Sequence, residues 1–295
     1  MTDVLTKTRD LFDMQAAPLR IGALRLKVRD LERVTNFYTT VLGLEVVERT
    51  PRRARLGSVS STLLELQEDP ALAPRDPRQA GLFHTAFVLP SRADLARWLS
   101  FVRDLRLEGR RVPLQGASDH NVSEAIYLAD PEGNGIEVYA DHPVSRWRDP
   151  DGQIHMTTEP LDLQGLLQEA GSGRWSGFPA DGCIGHVHLQ VGDSETADRF
   201  YRDILGLEVT AHYPGASFYG SGGYHHQLAA NVWNSRGSTR RVEEAAGLAG
   251  FSLLLRDPAK LTVLRRRAEE AGVEAHPTSD GVTLYDPWGI AITVK

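Results

Sequence analysis

Ile21-Gly-Ala-Leu-Arg-Leu-Lys-Val-Arg-Asp30 recurs as Ile184-Gly-His-Val-His-Leu-Gln-Val-Gly-Asp193, and this recurrence decides the fold. The match runs on without insertion: Phe37-Tyr38 and Val41-Leu-Gly-Leu-Glu-Val46 fall on Phe200-Tyr201 and Ile204-Leu-Gly-Leu-Glu-Val209. In each copy an alternating apolar stretch predicts a strand, and it ends at an Asp suited to cap a helix. The helix carries Phe-Tyr toward the core and stops at Leu-Gly, where glycine can take the left-handed C-cap conformation. A second strand follows.

Outward from these copies lies a weaker pair. Gly81-Leu-Phe-His-Thr-Ala-Phe-Val-Leu-Pro90, a helix over Arg92 to Leu107, and Tyr127 to Val138 parallel Gly247 to Arg256, a helix over Pro258 to Ala271, and Tyr285 to Val294. Both end in strands joined by an Asp-Pro-x-Gly turn. Self-similarity at this spacing marks a repeat architecture. The expectation is an α+β fold of four βαβββ modules at 21–69, 80–140, 183–235 and 246–295. An N-terminal extension (1–20) precedes them, and a linker (141–182) with a helix over Leu161 to Ala170 separates the second from the third.

Composition narrows the function. A net charge of -6 argues against a general nucleic-acid binder, because phosphate contacts call for a basic surface. The short arginine runs Arg52-Arg53 and Arg265-Arg266-Arg267 read as solvated faces. One cysteine, Cys183, excludes an internal disulfide and a cysteine metal cluster and fits a reducing compartment. With a polar N-terminus and no apolar run of about 18 residues, no membrane partner and a cytoplasmic location are expected.

The four βαβββ units, the Asp-capped Phe-Tyr helix and the Asp130-Pro-Glu-Gly-Asn-Gly-Ile-Glu137 ending resemble the vicinal oxygen chelate superfamily, which includes glyoxalase I, the fosfomycin and bleomycin resistance proteins and the type I extradiol dioxygenases. The whole pattern is most similar to four-module catechol 2,3-dioxygenase-like proteins. The resemblance implies two cupped, barrel-like mixed sheets, each from two modules, with metal ligands on first and last strands. Those positions fall on Ala23, His84, His186 and Gly250, and on Glu65, Glu137, the His225–Leu228 region and Thr293. Only modules 2 and 3 supply a full set: His84, Glu137 and His186. Two imidazoles and one carboxylate with open positions suit non-haem Fe(II), with Mn(II) as the other candidate. Modules 2 and 3 are therefore expected to pair and share the site, leaving 1 with 4.

Gly222-Gly-Tyr-His-His-Gln-Leu-Ala-Ala-Asn231 reads as a strand-like alternating run, in which only one of His225 and His226 can face a given pocket. In extradiol enzymes the second His of such a His-His-x-Leu-Ala run is the acid/base, which implies His226 here. The resemblance also implies Tyr127, ten residues before Glu137, and His120 on the substrate side. His188 is left between lining the pocket and structural burial, and His142, His155, His212 and His276 are unassigned. The implied activity is extradiol cleavage of a small aromatic diol with O₂, in a homo-oligomer. A glyoxalase-like non-redox metal lyase or isomerase is the first alternative, and a drug-binding resistance protein the second.

Overall fold

The computed structural model describes residues 10–295. Residues 1–9, most of the first half of the expected N-terminal extension, lie outside the described residues. The first repeat is β1 (Leu19–Val28), a helix (Leu31–Phe37), β2 (Glu45–Thr50), β3 (Arg53–Ser58) and β4 (Ser61–Glu68). The second is β5 (Gly81–Val88), a helix (Arg92–Leu107), β6 (Leu114–Asp119), β7 (Ser123–Ala129) and β8 (Gly135–Asp141). In the linker come β9 (Glu159–Pro160) and a helix (Leu163–Gln168). The third repeat is β10 (Cys183–Gln190), a helix (Ser194–Asp198), β11 (Glu208–Tyr213), β12 (Ala216–Gly220) and β13 (Leu228–Asn231). The fourth is β14 (Gly247–Leu255), a helix (Lys260–Glu270), β15 (His276–Pro277), β16 (Val282–Tyr285) and β17 (Ala291–Val294).

The caps work as the sequence predicts. Asp30 accepts from the Arg33 amide and Asp193 from the Thr196 amide, and Gly43 and Gly206 close the helical segments at φ of 70° and 78°. The linker helix is shorter than expected, because Asp162 takes the N-cap and accepts from the Gly165 amide. β9 was not foreseen: it adds to β6 and makes the linker part of the sheet.

Two mixed sheets result. One runs β15-β16-β17-β14-β1-β4-β3-β2 and joins the fourth repeat to the first; the other runs β11-β12-β13-β10-β5-β8-β7-β6-β9 and joins the third to the second. In each, the two first strands pair antiparallel at the centre, with a parallel last strand on either side. The first and second repeats thus belong to different sheets, as do the third and fourth, and a buried tyrosine ties each of these pairs together. Tyr38 donates to Asp130 (3.4 Å) and Tyr201 to Asp286 (2.7 Å), each an Asp of an Asp-Pro-x-Gly turn. Burial raises both carboxyls, Asp286 to about 6. Among the described residues, no helix is long and apolar enough to cross a membrane.

Candidate metal centre and substrate pocket

Register brings the expected ligands together. On β5, His84 and Ala86 share a face, since side chains alternate. Ala86 stands opposite Glu137 of β8 on one side and His186 of β10 on the other, and its methyl leaves the space between them open. The opposite face of the same strands carries Phe87, Val138 and Val187, which pack in the main core.

His84 Nε2 lies 3.0 Å from Glu137 Oε2 and 3.3 Å from His186 Nε2, and His186 Nε2 lies 3.3 Å from the same Oε2. All three side chains are buried. Three donor atoms at about 2.1 Å from one ion would stand about 3.0 Å apart at right angles and 3.4 Å apart in a tetrahedron, so the triangle fits a metal bound on one face. Their chemistry agrees, because two imidazole nitrogens and a carboxylate oxygen converging on one buried point are the donor types that a divalent transition-metal ion takes. Burial works against the charge of Glu137, but His186 and His84 outweigh it and hold the carboxyl well below its usual range. Burial pushes the His186 imidazole down, which keeps it neutral and able to bind a metal.

His188 is opposite His84 in the β10–β5 register and also borders the pocket, but it stands outside the triangle. Its Nε2 accepts from the Asn231 amide at 2.9 Å, and burial holds its pKa well down. Glu65 is on the other sheet, 40 % exposed and 4.0 Å from Arg55. Among the described residues it joins no ligand group.

The strand reading of Gly222–Asn231 needs correction. β13 starts only at Leu228, because Gly222 and Gly223 take left-handed conformations (φ 65° and 85°) and the Gln227 side chain hydrogen-bonds back to Ser221. His225 and His226 consequently do not point to opposite faces; their Nδ1 atoms lie 2.8 Å apart. Only His226 borders the pocket, its ring 4.2 Å from that of His186. Burial, then the imidazoles around it, hold His226 well below the usual histidine range.

Tyr127 faces Glu137 across β7 and β8. Its hydroxyl is 2.7 Å from His120 Nε2, and His120 Nδ1 is 2.7 Å from the Thr157 carbonyl. A carbonyl only accepts, so Nδ1 carries the proton and Nε2 accepts from Tyr127. Burial and the charge of Glu137 raise the Tyr127 phenol well above 10. These side chains border a cavity of about 560 Å³. Phe83, Phe218 and Trp233 form one wall, and Ile154 and Met156 of the linker another. Sequence reasoning missed the linker wall, since the segment has no periodicity to mark it. It also missed Asp141, which accepts from His225 Nε2 at 2.8 Å.

The family model described as "Glyoxalase/Bleomycin resistance protein/Dioxygenase superfamily" matches residues 20–138 and 183–294. A catechol-2,3-dioxygenase of Bacillus subtilis (strain 168) is 39 % identical over 272 residues, 90 % of this chain and 93 % of that protein. Biphenyl-2,3-diol 1,2-dioxygenase 3 of Rhodococcus globerulus is 32 % identical over 126 residues, 42 % of this chain and 64 % of that one. Among solved structures, glyoxalase I from Zea mays superposes with a TM-score of 0.57 at 16 % identity, covering 95 % of this chain and 93 % of its own, a likeness of fold alone.

Proposed function

This chain belongs to the Glyoxalase/Bleomycin resistance protein/Dioxygenase superfamily, and we propose that within it the chain is an extradiol ring-cleaving dioxygenase acting on a catechol-type diol. His84, Glu137 and His186 would hold the metal, Fe(II) in this reading. The observation that carries the proposal is the three-atom triangle bordering a pocket whose lining also includes the His226 imidazole and the Tyr127 phenol. Bound there, Fe(II) supplies positive charge that favours the deprotonated diol and a centre at which diol and O₂ meet.

The chain's own residues do the rest. Phe83, Phe218 and Trp233 offer flat apolar surface to the aromatic ring, and Ile154 and Met156 cover it and exclude water. His226 is neutral at neutral pH and accepts a diol proton, later returning it to an oxygen of the opening ring. Tyr127 keeps its proton and stands beside Glu137 as a hydrogen-bond group bordering the pocket, held in place by His120.

The test is anaerobic loading with Fe(II), addition of catechol, then O₂. Stoichiometric O₂ uptake with a yellow semialdehyde product is expected. Metal binding without O₂ uptake across several catechols would overturn the proposal and leave a glyoxalase-like reaction, which needs no O₂.

A further inference from the structure

Behind His226, away from the pocket, runs a buried chain of hydrogen bonds whose direction can be read. Asp141, the last residue of β8, receives His225 Nε2 at 2.8 Å on Oδ1 and the Tyr224 hydroxyl at 3.0 Å on Oδ2. The Tyr224 hydroxyl, which donates to Asp141, accepts from Tyr139 at 2.7 Å. A carboxylate only accepts, so the His225 nitrogen facing Asp141 carries a proton. With one proton on that ring, His225 Nδ1 is bare and can only accept from His226 Nδ1 at 2.8 Å. That leaves His226 Nε2 as the bare nitrogen. The ring of His225 is fully buried between Tyr224 (centroids 4.1 Å apart) and Trp147 (4.9 Å), and this orientation puts both of its nitrogens within hydrogen-bond distance of a partner.

We infer that Asp141 and His225 are positioning residues that fix the tautomer of His226, so that Nε2 faces the pocket as an unprotonated acceptor. The same logic in serine hydrolases has a buried Asp hold a catalytic imidazole in one tautomer; here the Asp acts through an intervening imidazole. Reversed order would present an N–H to the diol and leave no site for its proton. The effect on rate rests on the proposed dioxygenase reading, whereas the tautomer does not.

Nitrogen NMR of the metal-free protein with ¹⁵N-labelled histidine reads the tautomer directly, His226 being assigned by its loss in His226→Gln. The expected result is a protonated Nδ1 and a bare Nε2. Asp141→Asn offers His225 a donor as well as an acceptor, so both tautomers of His226 should appear. A wild-type His226 protonated on Nε2, or one tautomer unchanged in Asp141→Asn, would overturn the inference. In the Fe(II)-loaded enzyme, Asp141→Asn should lower kcat about 10- to 100-fold with little change in KM. In a His226→Gln background the same change should lower kcat no further, since Asp141 acts through that ring. A full additional loss there would mean that Asp141 acts by another route. If no diol is turned over, the proposed reaction fails, while the NMR result still decides the tautomer.

Discussion

His186 and His188 lie on one face of one strand, are both buried, and differ in what their nitrogens do. The Nε2 of His188 is occupied by the Asn231 amide, whereas that of His186 points at Glu137 and His84. His186→Ala should therefore abolish tight Fe(II) binding, and His188→Ala should leave metal content near wild type. Metal analysis after dialysis checks this, and equal content in the two variants would refute the triangle. His226→Gln removes the acceptor without removing a ligand: it should keep its metal yet lose ~10²- to 10⁴-fold in kcat, measured by O₂ uptake. Near-normal turnover would take His226 out of the mechanism. Neither distinction could be read from spacing alone, because alternation places both histidines of β10 on the pocket face. What separates them is Asn231, a residue of another strand.

The element that carries the proposed acid/base His226 is the loop from Ser221 to Gln227, and its two glycines play different parts. A Cβ on Gly222 would sit 2.4 Å from the Cδ of Pro18, at a φ of +65°, so Gly222→Ala must displace the loop. On Gly223 a Cβ would meet nothing nearer than 3.7 Å, leaving only left-handed strain of about 1–2 kcal/mol. Gly223→Ala should lower the melting temperature while keeping most of kcat, and Gly222→Ala should lose both. Equal activity in the two variants would show that the loop does not position His226. The His-His pair was visible in the sequence, but its conformation was not. An alternating pattern reads as strand, and nothing local announces that the Gln227 side chain substitutes for a ladder. The linker is similar: Ile154, Met156 and the Thr157 carbonyl build one side of the pocket from a stretch without periodicity.

At the scale of the molecule, burying several imidazoles at one sheet couples stability to pH. His186, His188 and His226 are all held below the ordinary 6.5, burial being the largest cause for each. The unfolded chain takes up these protons near pH 6.5 and the folded metal-free protein does not. Its stability is therefore full at neutral pH and declines as pH falls from 6.5 through the lowered folded values, by up to about 1.4 kcal/mol per pH unit for each group. Glu137, also held down, adds a further loss below its ordinary 4.5. Urea midpoints at pH 7.5 and 5.5 should show the decline, and His226→Gln should make it shallower; midpoints independent of pH would contradict it. The site exists only because the second and third repeats share a sheet, a pairing that ligand distribution in the sequence already favoured. The four strand-helix-strand repeats, the capping aspartates and the left-handed C-cap glycines were determined by the sequence itself, because periodicity and turn chemistry are local properties that repetition makes legible, whereas His84, Glu137 and His186 stood out through family resemblance. Tertiary structure alone decided that His188 is occupied by Asn231, that His225 and His226 touch, that Asp141 stands behind them and that the linker closes the pocket. Each depends on which side chain of a distant segment fills the space beside a nitrogen, and such contacts leave no pattern along the chain.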